Sequence, residues 1–295
     1  MTHAAKAVTT AVAPDDGSES VALRPQSLML TFLGNYVLGG DNCVYSGSVI
    51  DVFARVGVGE YATRSTLTRM VNRGLLLRHR EGRRMYFGLT DRAADILRDG
   101  EDRIWKQGAV NNDWDGTWTL LAFSLPESSQ RQRHELRSQL AWAGFGPLIG
   151  GLWIAPGRID TAVLTANPEL GPHLRVFYSA VAPEEDIDAM VRSVWDVATP
   201  AAGYAAFLDR WQTFADGAGD ADGATDGVDA IAVKLRLLTE WLQIVRADPH
   251  LPVQHLPENW PAAEAQDVFR RANARVEAPS RALARELLET VPLRG

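Results

Sequence analysis

The stretch GVGEYATRSTLTRMVNRGLLLRHREGRRMYFGLT, residues 57–90, decides how this chain is read. In its first part Leu67, Met70 and Val71 recur at helical spacing, which predicts a helix over 60–72. Gly57-Val58-Gly59 makes a tight turn ahead of it, and Gly74 suits its C-terminal stop. Two β-prone runs, 75–80 and 84–89, flank Glu81-Gly82 and predict a hairpin. Thr90-Asp91 can then cap a helix starting at Arg92.

Upstream, Leu28, Phe32, Leu33 and Tyr36 fall at helical spacing, until Gly39-Gly40-Asp41-Asn42 breaks the pattern. Ser48 to Val56 gives a second short helix with Val49, Ile50 and Phe53 on one face. Three short helices, a hairpin and a closing helix, in that order, predict a winged helix-turn-helix between Arg24 and Arg92. Residues 1–23 hold no apolar period and no hydrophobic signal region, so a disordered tail is expected.

Downstream, TWTLLAFSL (117–125) reads as a strand, and a helix follows from Pro126 through Ala143. LIGGLWIAP (148–156) reads as a strand or hairpin, 158–166 as a short helix, and LRVFYSAVA (174–182) as a strand. That order suggests a ferredoxin-like domain. From Pro183 the pattern is helical over 184–198, 201–214, 229–247 and roughly 261–289, interrupted by the Gly/Ala/Asp segment 216–228. The expected fold class is therefore α+β and multidomain: an N-terminal winged helix-turn-helix (24–112), a central ferredoxin-like α+β domain (113–183) and a C-terminal helical domain (184–295) with a flexible linker at 216–228.

Charge separates the same regions. The 295-residue chain carries a net −7, yet Glu60 to Arg92 holds arginines 64, 69, 73, 78, 80, 83, 84 and 92 against Glu60, Glu81 and Asp91. A basic patch on an acidic protein is what a local polyanion-binding face requires. A single cysteine, Cys43, allows no internal disulfide, and no apolar run reaches the roughly 20 residues that span a bilayer. A cytoplasmic protein with no membrane contact is expected.

A helix-turn-helix places its second helix in the major groove, so Tyr61, Thr63, Arg64, Ser65, Thr68 and Arg69 are the candidate reading surface. Arg64 is the best base reader, because a guanidinium can bond guanine O6 and N7 together. Arg69 and Arg73 would meet phosphates, as would Arg80, Arg83 and Arg84 of the hairpin.

These blocks resemble the phenylacetic acid catabolon repressors, the PaaX-like regulators, from about Ser27 to Leu288. The resemblance is carried by GVGEYATRSTLTRMVNRGLL, REGRRMYFGLT, WDGTWTLLAFSLPE, LAWAGFGPLIGGLWIAP, YAAFLDRW and RLLTEWLQIVRADPHLPVQHLPENWP. It implies a homodimer on a palindromic double-stranded DNA operator, released by an aryl-acyl-coenzyme A effector such as phenylacetyl-coenzyme A. A flat aryl group could stack on Trp118, Trp153 or Trp195, and Arg131, Arg133 or Arg175 could meet the phosphates of the coenzyme.

The central segment also looks like the ferredoxin-like nucleases of CRISPR systems, which would make the chain a metal-dependent nucleic-acid phosphodiesterase. Those enzymes need a metal-holding carboxylate at the end of the first strand, where this chain has Ser124, a poor ligand for a hard cation. Asp220, Asp222, Gly223 and Asp229 imitate a calcium loop, but Ala218 occupies its first position and a linker explains them better. The six histidines form no metal spacing. No catalytic residues, metal or cofactor are expected, and the chain reads as a regulator rather than an enzyme.

Overall fold

The helix expected over 60–72 is present as Glu60–Asn72, and the hairpin as strands Leu76–Glu81 and Arg84–Leu89. The computed structural model describes residues 6–7, 23–102, 110–217 and 229–293. Apart from Lys6, Ala7, Leu23, Asp216 and Gly217, the tail and linker expected from the sequence lie outside the described residues.

In chain order the first part holds β1 (Lys6–Ala7), α1 (Pro25–Tyr36), β2 (Asn42–Tyr45), α2 (Ser46–Arg55), α3 (Glu60–Asn72), β3 (Leu76–Glu81), β4 (Arg84–Leu89) and α4 (Asp91–Asp102). The middle holds β5 (Trp118–Phe123), α5 (Gln130–Trp142), β6 (Gly146–Ile149), β7 (Leu152–Pro156), β8 (Ile159–Asp160), α6 (Ala162–Thr165), β9 (Leu174–Ser179) and α7 (Ile187–Val194). The last part holds α8 (Ala198–Ala215), α9 (Ala230–Ala247), α10 (Ala262–Leu287) and β10 (Thr290–Pro292).

The chain divides into two compact units. One combines Glu19–Gly108, Tyr204–Val245 and Glu264–Gly295. Its core joins Leu28, Phe32, Val49, Phe53, Leu67, Met70, Leu76 and Phe87 with Ile231 and Leu235 of α9 and Ala284 of α10. Its sheet runs β10-β2-β4-β3 with antiparallel pairing throughout. Two of those strands, β2 and β10, are absent from the sequence reading: β2 falls in the break after α1, and β10 follows directly on the last helix. Each is too short to show an alternating pattern, and each is fixed by a partner distant in sequence, Thr290 facing Val44 and Val44 facing Phe87.

The hairpin turn is Gly82-Arg83, because Glu81 pairs with Arg84. Gly82 has φ of 59°, and a positive φ at the first of two loop residues is what a glycine supplies without strain. Thr90 caps α4 as expected: its Oγ1 accepts from Ala93 N at 3.2 Å and donates to Gly74 O at 2.9 Å.

The other unit combines Met1–Ser18, Ala109–Gly203 and Arg246–Ala263. Its sheet runs β6-β7-β5-β9, all antiparallel, and β1 pairs in parallel with β8. Leu136 and Leu140 of α5 and Leu164 of α6 share one core with Leu121, Trp153 and Ala155. Met190 and Val191 of α7 share another with Trp118, Ile154 and Trp195. Alternation along β5 and β7 sends these two sets to opposite faces of the sheet, which is therefore covered on both sides.

Candidate nucleic-acid interface

Helix α3 is two-faced. Thr63, Thr66, Leu67 and Met70 are buried, whereas Tyr61, Arg64, Thr68 and Arg69 are exposed and Ser65 is half-buried. Tyr61, at 88% exposure, is the most open large apolar side chain among the described residues. Thr63 does not belong to this outward face. Its hydroxyl donates to Gly59 O at 3.1 Å inside the fold, closing the turn that precedes the helix. Its position four residues before Leu67 and seven before Met70 puts it on their side.

The arginines are held by neighbours. Arg64 Nε donates to Glu60 Oε1 at 2.8 Å, one helical turn back. Arg69 donates to Ser65 Oγ and Thr66 Oγ1, both at 3.0 Å, and Arg73 donates to Gln26 Oε1 at 3.2 Å. All three side chains stay at the surface, where such pairs are weak and exchangeable. A phosphate or base edge can therefore displace the present partner at small cost.

On the hairpin, side chains alternate between faces. Arg78 and Arg80 leave on the face that carries Leu76 and Phe87 into the core, beyond which they extend into solvent. Arg80 Nε reaches Gly82 O at 3.1 Å, and Arg83 occupies the tip. Arg84 leaves on the opposite face with Tyr86. There its guanidinium binds both carboxylate oxygens of Glu289 and lies over the Tyr45 ring at 5.2 Å. Arg78 and Arg80 thus leave the hairpin on one face, Arg83 stands at its tip, and Arg84 leaves on the other face. Glu289 carries no local sequence signal, because it lies 205 residues from Arg84.

The residues expected to hold an effector do not form one site. Trp118 stacks on Trp195 at 6.1 Å and meets Trp114 edge-on at 5.1 Å. Arg175 faces Ala122 across β5 and β9 and so shares their face of the sheet. Trp153 lies on the other face, under α5, which also carries Arg131 and Arg133. Arg133 is engaged with the backbone oxygens of Leu125 and Pro126. The three tryptophans are buried core residues, and Trp118 Nε1 has no hydrogen-bond partner among the described residues.

Among the described residues, no three His, Cys, Asp or Glu side chains gather as a metal site would require, and no helix is long and apolar enough to cross a membrane. Cys43 is buried, and burial pushes its thiol up, away from the reactive thiolate.

A mixed α+β chain of several segments, with a cationic helix and hairpin on one of them, is the class these features define. Family models match it in the same order: "PaaX-like protein" over residues 24–93, "PaaX protein central Cas2-like domain" over 111–191 and "PaaX-like protein C-terminal domain" over 195–286. The chain belongs to the PaaX-like family. It is 26% identical over 276 residues to the transcriptional repressor PaaX of Escherichia coli (strain K12), an alignment spanning 92% of this chain and 86% of that one. It is similar in fold to the structure of the uncharacterized protein Rv0674 from Mycobacterium tuberculosis, with a TM-score of 0.55 at 20% identity, covering 88% of this chain and 99% of that one.

Proposed function

We propose that the chain is a transcriptional repressor that binds double-stranded DNA through α3 and the β3–β4 hairpin. The observation that carries this is the outward face of α3, where Tyr61, Arg64, Ser65, Thr68 and Arg69 lie together above a buried face, followed at once by an arginine-tipped hairpin. We read α1 to α4 with this hairpin as a winged helix-turn-helix. Arg64 then reads a base, and Arg69, Arg73, Arg80 and Arg83 hold phosphates. The similarity to a protein named transcriptional repressor supports the same reading.

The strand order β6-β7-β5-β9, with α5 and α6 on one face, fits a ferredoxin-like middle segment. We take 24–112, 113–183 and 184–295 as modules of sequence rather than as separately folded bodies, since α9 and α10 share a core with the reader. One short helix covers little DNA, so a homodimer on a palindromic operator is the proposed working form, in a cytoplasmic setting. Release by an aryl-acyl-coenzyme A such as phenylacetyl-coenzyme A completes the proposal. Of the six effector candidates, Trp118, Trp195 and Arg175 are retained because they share one face, and Arg131, Arg133 and Trp153 are set aside.

A mobility-shift titration tests both parts. Duplexes enriched from a random library by the full-length protein are shifted by it, and phenylacetyl-coenzyme A, but not coenzyme A alone, reverses the shift. Failure to enrich any duplex removes the DNA-binding reading. A shift that no aryl thioester reverses removes only the effector.

A further inference from the structure

On the DNA-binding reading above, we infer that Glu289 is a positioning residue of the DNA reader and that Arg84 is its strut, not a phosphate ligand. Glu289 sits between α10 and β10 and is fixed from four directions. Its backbone N–H donates to Ser48 Oγ of α2 at 3.1 Å, and its carbonyl accepts from Tyr45 N at 2.8 Å. Its carboxylate accepts from Tyr86 Oη at 2.6 Å and from Arg84. One residue from the C-terminal segment therefore ties the start of α2, the end of β2 and the middle of β4 together. β10 then zips onto β2 and carries the tie as far as Leu293, whose N–H donates to Asp41 O at 2.7 Å.

The hairpin is held on one face by Leu76 and Phe87 in the core and along one edge by its pairing with β2, so its tilt depends on what ties the other face. Here β2 pairs with only Val44 and Tyr45 against β4, a short ladder. The Arg84–Glu289–Tyr86 cluster lies at the Tyr45 end of that ladder, on the sheet face away from the core, and Tyr45 and Tyr86 pack at 5.6 Å beneath it. It sets the angle of the hairpin to α2, and so the placing of Arg80 and Arg83 relative to α3. A positioned group loses its effect when displaced by about 1 Å, so an indirect residue of this kind can matter as much as a contacting one.

Two mechanisms give opposite results. As a strut, Glu289 strengthens DNA binding. As a mask over a phosphate-seeking arginine, it weakens it. The geometry points to the strut, because Arg84 is turned from the face that bears Arg78 and Arg80.

The test uses the full-length chain and a duplex that the wild-type protein enriches from a random library. Glu289→Ala, Arg84→Ala and the double variant are each expected to weaken binding about ten-fold, without further loss in the double. The slope of log affinity against log salt stays at the wild-type value in all three. Arg83→Ala, by contrast, flattens it by about one contact. The exchanged pair, Arg84→Glu with Glu289→Arg, rebuilds the ion pair but not the Tyr86 contact, since a guanidinium cannot accept from a hydroxyl, and recovers part of the binding. Titrating every variant well below its own unfolding temperature keeps a general loss of stability out of the comparison. If the alanine variants fail to fold, Glu289→Gln, which keeps the side-chain size, reports a smaller affinity loss at the wild-type slope. Tighter or unchanged binding in the Glu289 variants, or a flattened salt slope in Arg84→Ala, overturns the proposal. If the wild-type protein enriches no duplex, the DNA-binding reading falls and the strut falls with it.

Discussion

Arg80 and Arg84 stand on the two strands of one hairpin, yet they leave it on opposite faces: Arg80 is paired with Met85, and Arg84 with Glu81. The consequence is a division of labour among arginines that look alike in sequence. Arg80→Ala and Arg83→Ala each remove one phosphate contact from the proposed complex. Fluorescence-anisotropy titrations at several salt concentrations should show the slope of log affinity against log salt falling by about one for each. Affinity should drop alike for preferred and random duplexes.

On α3 the expected effects divide by face. Arg64→Ala costs about 1–3 kcal/mol of binding and relaxes the base preference at one position of each half-site, read by repeating the library selection with the variant. Thr63→Val leaves that preference intact, because the side chain is buried. It forfeits the bond to Gly59 O and lowers stability by about 1 kcal/mol, measured by urea unfolding.

The aromatic stack depends on a residue with no side chain. A Cβ built on Gly146 would lie 2.2 Å from Val194 Cγ1 and 2.8 Å from Trp195 Cε2. Gly146→Ala must therefore push α7 and Trp195 outward, which costs about 1–3 kcal/mol of stability. Tryptophan fluorescence should move with it, since Trp195 stacks on Trp118. A variant that is as stable as wild type, with unchanged emission, would contradict this packing.

The acid limb of stability should carry a signature of Glu289. The Tyr86 hydroxyl, then the Arg84 guanidinium, hold its carboxyl below the usual carboxylate range. A carboxyl with a lowered folded-state value contributes fully above its ordinary value and loses that contribution as pH falls through the lowered one. Thermal unfolding of wild type and Glu289→Gln, compared from about pH 7 to about pH 3, should show a wild-type advantage that disappears toward the acid end. An advantage that grows toward acid would reverse the sign and contradict the assignment.

How far these features were legible in the sequence depends on their range. α3, the β3–β4 hairpin and the Thr90 cap announce themselves through neighbours a few residues away, and they stand where periodicity and turn chemistry put them. The order of strands around β5 is partly legible too, since β6 and β7 follow a glycine-marked hairpin. The β2–β10 pairing and Glu289 are not: their partners lie across more than two hundred residues, the β2–β4 ladder is only two pairs long, and Thr290 to Pro292 has no pattern of its own. Thr63 could have been placed inward from its spacing to Leu67 and Met70. The split of Trp153 from Trp118 needed the strand register, which alternation alone does not supply.

Footprinting the full-length protein on a duplex it enriches, with Mg²⁺ present, beside Arg64→Ala, tests most directly whether α3 and the hairpin form a DNA-reading surface. The expected result is an intact duplex protected over two half-sites about 10 base pairs apart, and loss of that selective protection in the variant. A duplex left unprotected at low salt, one cut by the protein, or equal protection by Arg64→Ala would contradict it.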